Sequence, residues 1–380
     1  MSIHHIVSDG WSIGIAAKEL SEWYTAMIEG REPDLSPLPI QYADYALWQK
    51  EYLTGETLQK QLSYWKEQFA VPVEELMLPY DYTRPAVQSY RGKTKKYRLS
   101  KPLSDQLAAL SKNTDSTLYM TLLSAFSILL HRLSSQDEFV IGSVIAGRNR
   151  TEMEQLIGFF VNTLALRIDH SGNPAFTELL ERVKETTMGA YAHQDVPFEM
   201  VVDELNIVRE AGRQPLFQVM FVLQNLPLEA PPMGEATSVL AIEDNDTAKF
   251  DLSLFVFEGA EGLQLKLEYD ADLFSDDTMD RFLLYYEQLL ACICENPAQP
   301  IRQMNYLPEK ERDQLLYEWS GSTEQPAGPL LITERFEAQV KKNTSCDRPR
   351  IWGKTVDVSG VTRESRPACR LSAAARSEAA

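Results

Sequence analysis

The 380 residues carry 37 Lys+Arg against 55 Asp+Glu, a formal net charge of −18, with 44% hydrophobic and 24% charged residues. A surface this acidic repels nucleic acid and anionic membrane, so basic or neutral partners fit better. The apolar fraction fills a sizeable core, of two or three domains at ~150 residues each or of one large two-lobed domain. The most apolar run, Leu118 to Leu130, is interrupted by Thr121, Ser124 and Ser127 and is shorter than the ~20 residues a bilayer span takes. No basic n-region and apolar stretch precede the first motif, which predicts a cytoplasmic chain with reduced cysteines. Cys292, Cys294, Cys346 and Cys369 form no C-x-x-C pair.

The opening Ile3-His4-His5-Ile6-Val7-Ser8-Asp9-Gly10-Trp11-Ser12 sets two histidines and an aspartate in a short apolar frame. Read as a strand end from Ile3 to Ile6, it alternates side chains between faces, so one histidine faces a cleft and the other packs inside. Gly10 then lets the chain bend before a helix that begins near Ser12. Three chemistries suit such a pair: a satisfied core feature, proton transfer at the imidazole's ordinary pKa of about 6.5, or metal ligation. Metal is the weakest, because His131, His170 and His193 fall in separate patterns.

Apolar residues at spacings of three and four predict a helix over residues 12–29, ended by Gly30. Pro33, Pro37 and Pro39 make a stiff linker to helices over about 40–55 and 57–69, the first with an aromatic face of Tyr42, Tyr45 and Trp48 beside Asp44. A strand is expected at 94–99, helices at 102–112 and 118–133 with His131 in the core, and strands at 139–145 and 159–168. Arg167 lies within the last of these and needs a partner, since an unpaired buried charge costs several kcal/mol. Pro174 and Pro197 each start a helix. Strands follow at 217–224, 238–242, 250–257 and 263–269, and a helix at 276–294. Interleaved helices and strands give an α/β fold of layered sheets.

His4-His5-Ile6-Val7-Ser8-Asp9-Gly10 resembles the H-H-x-x-x-D-G motif of nonribosomal peptide synthetase condensation domains, relatives of chloramphenicol acetyltransferase. Four later segments resemble that family's motifs in the family's order. They are Tyr42-Ala43-Asp44-Tyr45-Ala46-Leu47-Trp48; Ile157-Gly158-Phe159-Phe160-Val161-Asn162-Thr163 with Arg167; His193-Gln194-Asp195-Val196-Pro197-Phe198-Glu199; and Arg213-Gln214-Pro215-Leu216-Phe217-Gln218-Val219-Met220-Phe221. The resemblance covers residues 1 to about 305 and implies an α/β, two-lobed chloramphenicol-acetyltransferase-like fold with its N-terminal lobe truncated.

It also implies a reaction, in which the amine of one carrier-bound aminoacyl group attacks the thioester of another to form a peptide bond. The 4'-phosphopantetheine arms come from upstream and downstream peptidyl carrier domains, and neither metal nor bound cofactor is expected. By this resemblance His5 orients the amine and accepts its proton, His4 packs behind the loop, Gly10 permits the turn, and Asp9 is braced by Arg167. Ser8, Trp11 and Asn225 become candidates for the tunnel wall, while Asn162 and Gln194 are structural.

The domain reading is a remnant of the N-terminal lobe at 1–40, a C-terminal lobe at 41–305, and a linker into the start of an adenylation domain at 306–343. Residues 344–380 form an unrelated or frame-shifted tail. That tail holds 7 Lys+Arg against 4 Asp+Glu, a net of +3, whereas residues 1–343 hold 30 against 51, a net of −21. Disorder is expected there. The alternatives are an inactive fragment that serves at most as a carrier-docking scaffold, or an epimerisation-type relative. The adenylation-like segment from Tyr306 argues against the second, and His4 excludes a cyclising variant with aspartate in its place.

Overall fold

A computed structural model describes residues 3–207, 212–224 and 246–319, and the backbone at 350–351 and 354–355. The chain divides into two compact units, residues 1–308 and 309–380. In the second, a short helix spans Glu309–Asp313 and a π-helical turn spans Gln314–Glu318.

In the first unit, helices α1 (Gly10–Glu29), α2 (Tyr42–Tyr52) and α3 (Gly55–Gln68) precede strand β1 (Gly92–Arg98). Then come α4 (Lys101–Asn113), α5 (Leu118–Ser134), β2 (Glu138–Ile145), β3 (Asn162–Asp169), α6 (Phe176–Ala192) and α7 (Phe198–Glu204). Strands β4 (Val219–Gln224), β5 (Leu252–Gly259) and β6 (Gly262–Asp270) lead to α8 (Asp276–Glu295). One six-stranded sheet has the order β1-β6-β5-β4-β2-β3. Its centre is parallel, β5 to β4 and β4 to β2, and both flanks are antiparallel. The strand expected at 238–242 lies outside the described residues.

The main core lies between the sheet and helices α4, α5, α6 and α8. Every residue of α5 from Met120 to His131 is buried, as a helix apolar all round requires. Its buried hydroxyls are satisfied locally, Ser124 Oγ donating to the Met120 carbonyl at 2.8 Å and Ser127 Oγ to that of Ser124 at 2.8 Å. A smaller cluster of Val140, Ala165, Phe217, Met220 and Val222 covers the opposite sheet face.

The connection from α3 to β1 is tied down by Arg84, whose guanidinium meets the buried Asp251 carboxylate at the start of β5. Arg84 Nη1 donates to Oδ1 at 2.9 Å and Tyr80 Oη donates to Oδ2 at 2.9 Å.

Candidate functional site

The loop carrying the two histidines is a turn rather than a strand end. His5–Val7 forms a single 3-10 turn, closed by Val7 N–H donating to the His4 carbonyl at 3.1 Å and Ser8 N–H to that of His5 at 3.3 Å. His4 drives it, because its Nδ1 accepts the Ile6 N–H at 3.1 Å, a local bond that competes with extended backbone. Both imidazoles are exposed, so His4 does not pack behind the loop but caps it from the solvent side.

The two rings are nevertheless chemically distinct. His5 Nδ1 lies 2.6 Å from the Ser8 carbonyl oxygen, and since a carbonyl only accepts, Nδ1 carries the proton. The lone pair of the neutral ring is then on Nε2, to which no described residue is bonded. His4 is the reverse: its Nδ1 accepts, so Nε2 carries the proton. Of the adjacent pair, only His5 offers an uncommitted basic nitrogen. Phe159 meets its ring edge-on, with centroids 5.1 Å apart and planes at 77°.

Asp9 fixes the loop to the rest of the unit. Its Oδ1 accepts from Ser12 N at 2.8 Å and Ser12 Oγ at 2.7 Å, which caps α1, and its Oδ2 accepts from Phe160 N at 3.1 Å. Ser12 Oγ in turn accepts the Gly158 N–H at 3.1 Å. The charge partner is Arg148, in the turn after β2, whose Nη2 lies 3.1 Å from Oδ1 and 3.3 Å from Oδ2. Each side chain of this pair is 1% exposed. Arg148 Nη1 also donates to the Met153 and Leu156 carbonyls at 2.5 and 2.7 Å, and its guanidinium lies 4.1 Å from the centre of the Phe160 ring. Burial pulls the Arg148 pKa below its ordinary value, with the Asp9 charge opposing that shift.

The expected brace, Asp9 with Arg167, is therefore wrong. Arg167 Nε pairs with Glu138 Oε1 at 2.6 Å, and its Nη1 donates to the Gln68 and Val71 carbonyls at 2.6 and 3.1 Å. It lies five residues along β3 from Asn162, where the chain arrives from the Asp9 contacts, a run of about 16 Å. Other expectations shift as well. Gly10 makes no bend; it is the first residue of α1, and its backbone is not among the left-handed glycines. Ser8 is buried with Oγ donating to the His4 carbonyl at 3.3 Å, so it shapes the loop through that bond and its own carbonyl. Trp11 Nε1 donates to the Glu154 carbonyl at 2.9 Å, which turns the indole to the Arg148 turn. Asn225 lies outside the described residues.

Three motif segments, those of Tyr42, Ile157 and His193, converge on the same edge, whereas the Arg213 segment does not. Tyr42 Oη donates to the Phe159 carbonyl at 2.8 Å, and Tyr42 and Tyr45 pack on the Phe160 ring at 5.1 and 4.6 Å. Asp44 caps α2 through the Gln41 N–H at 2.8 Å. Asn162 is a clamp: its Nδ2 donates to the Gln194 and Val196 carbonyls, both at 2.8 Å, and its Oδ1 accepts from Phe198 N at 3.1 Å. Asp195 accepts from Asn149, Gln61 and Tyr52 at 3.2–3.4 Å. A cleft of about 240 Å³ opens among these elements, walled by Tyr45, Trp48, Tyr52, Phe159 and Phe198.

The remaining histidines serve the core. His193 stacks on Tyr64 at 4.2 Å, and His131 stacks on His170 at 5.0 Å. His170 is pushed down to about 3 by burial, with His131 adding to the effect. Among the described residues no group of three or more His, Cys, Asp or Glu side chains could hold a metal ion, and no helix is long and apolar enough to cross a membrane.

The family model for the condensation domain matches residues 1–316. A linear gramicidin synthase from Brevibacillus parabrevis is 44% identical over 354 residues, 92% of this chain and 7% of that protein. Malpinin synthetase of Mortierella alpina is 43% identical over 341 residues, 89% of this chain and 4% of that protein. This chain thus spans under a tenth of the length of these curated relatives. The crystal structure of the X-domain from teicoplanin biosynthesis superposes with a TM-score of 0.70 at 28% identity, covering 80% of this chain and 70% of that one. Motif order, α/β architecture and these likenesses agree, and the chain belongs to the condensation domain family.

Proposed function

We propose that the chain forms the catalytic loop and C-terminal lobe of a nonribosomal peptide synthetase condensation domain, which joins a donor aminoacyl or peptidyl thioester to an acceptor amine. The observation that carries this reading is the His5 tautomer. With Nδ1–H held by the Ser8 carbonyl, Nε2 is left as a proton acceptor. The acceptor nitrogen attacks the thioester carbonyl, a C–N bond forms, and the tetrahedral intermediate collapses with loss of the C–S bond. His5 Nε2 takes the proton from the amine and returns it to the departing thiolate.

An α-amine has a pKa near 8, so about a tenth of it is already neutral at pH 7 and activation by a base gains only modestly. Alignment supplies more, up to ~7–11 kcal/mol. His5 therefore orients the amine first and receives its proton second, which suits a loop fixed through Asp9 and Arg148. Asn225 is proposed to donate to the oxygen of the intermediate. Both thioesters arrive on 4'-phosphopantetheine arms of upstream and downstream peptidyl carriers, in the cytoplasm.

In this reading residues 306–343 link to an adenylation domain, and 344–380 are an unrelated tail. A further lobe would cover the apolar side chains of Ile6, Val7, Leu20, Trp23 and Met27, each more than half exposed. The test follows peptide formation between loaded carrier proteins in a complete module. His5→Ala is expected to lower the rate by about 10²–10⁴-fold, and His4→Ala by much less. An unchanged rate in His5→Ala would overturn the reading.

A further inference from the structure

On the second face of the sheet, away from His5, lies a cavity of about 290 Å³. Its apolar wall includes Val73, Val140, Leu205 and Leu216. Val140 is five residues along β2 from Ile145, the partner of Asn162, so the cavity sits about 17 Å from the catalytic edge.

Two polar groups converge on it. Arg213 Nη1 donates to Glu75 Oε2 at 2.5 Å, which uses one oxygen of the carboxylate. The other, Glu75 Oε1, is buried with no hydrogen-bond partner among the described residues. An acceptor buried without a donor is costly, and native structures keep few of them.

A second, independent observation concerns the wall itself. Leu216 sits at φ 70°, left-handed backbone that a branched side chain rarely adopts. Strain of this kind gathers at ligand clamps, and here it turns Leu216 toward the cavity between Pro215 and Phe217.

We propose that this cavity binds an aliphatic amide. The N–H of the ligand satisfies Glu75 Oε1, its carbonyl faces the Arg213 end of the pair, and its branched alkyl chain fills the space against Val140 and Leu205. The ligand is neutral, because Arg213 already balances the charge of Glu75 and a free ammonium would compete with that pair.

The experiment is a binding titration of the full chain, followed by methyl NMR, with N-methyl-4-methylpentanamide and with methyl 4-methylpentanoate. These probes differ only by N–H in place of oxygen. The amide is expected to bind saturably and at least about tenfold more tightly than the ester, the cost of leaving a buried acceptor bare. Glu75→Leu removes the acceptor and is expected to bind amide and ester alike. Leu205→Trp fills the cavity and is expected to abolish both, with unfolding transitions showing that each variant is folded. Equal binding of the two probes to the unmodified chain, no saturable binding, or unchanged binding in Leu205→Trp would overturn the proposal. Because the readout is binding and not turnover, none of these results depends on the condensation chemistry of His5.

Discussion

Replacing Arg148 by Met tests which arginine holds the catalytic loop. The change removes the guanidinium from a pair whose two side chains are each 1% exposed, and leaves the Asp9 carboxylate buried with only the Ser12 and Phe160 donors. It also strips a donor from the Met153 and Leu156 carbonyls. Removing one partner of a buried ion pair costs about 3–5 kcal/mol, a large part of the 5–15 kcal/mol that holds a typical domain together. For a unit of this size the melting temperature falls by roughly 2–4 °C per kcal/mol, or about 6–20 °C here. Arg167→Met is the comparison. Its partner Glu138 is 38% exposed, so the ion pair contributes little, about 0–1 kcal/mol, to which the two lost carbonyl bonds add. Urea unfolding of Arg148→Met, Asp9→Asn and the double variant closes a cycle whose coupling energy is expected to exceed 1 kcal/mol, since contacting charges couple by about 0.5–3 kcal/mol. A null coupling between Asp9 and Arg148, with a large one between Asp9 and Arg167, would refute the geometry.

Gly158→Ala is expected to destabilise the same edge by about 1–3 kcal/mol, because a Cβ there would stand 2.1 Å from the Tyr42 ring. Thermal unfolding reads that loss, and an unchanged transition would count against the Tyr42 packing. His170 predicts a pH effect. Its pKa is held at about 3 in the folded chain, against about 6.5 unfolded. Its contribution is therefore complete above pH 6.5 and is lost as pH falls from there towards 3, at about 1.4 kcal/mol per unit. Denaturant titrations of the unmodified chain and of His170→Phe should differ by that slope; parallel pH profiles would mean that His170 is protonated when folded. Asp251→Asn should cost about 3–5 kcal/mol by unpairing Arg84, seen as a lower urea midpoint.

Much of the secondary structure is legible from side-chain period. The helix expected over 276–294 spans Asp276–Glu295, and the run 139–145 is the core of β2. Both are long or strongly apolar, and packing reinforces the local signal. The opening turn is not legible in that way. A strand from Ile3 to Ile6 follows from β-branched flanks, but a single bond from Ile6 N–H to His4 Nδ1 decides for a turn, and no periodicity records it.

The arginine error has a similar root. Arg167 stands in an apolar stretch, which suggests burial, yet strand alternation places Leu164, Leu166 and Ile168 in the main core and Ala165 with Arg167 on the other face. Arg148, between Gly147 and Asn149, reads from sequence as no more than part of a turn. The signal lies in that turn itself: Gly147 adopts φ +64°, and a Cβ there would lie 2.0 Å from the Phe160 carbonyl. A glycine forced into such contact brings the next side chain, Arg148, against the segment that carries Phe160 and receives Asp9.

A bare nitrogen on the outer edge of His5 is the centre of the mechanism. Nitrogen-15 NMR of the imidazoles reads it directly. The expected spectrum shows His5 with a protonated Nδ1 and a pyridine-like Nε2, and His4 with the opposite assignment. A His5 ring that carries its proton on Nε2 would contradict that mechanism.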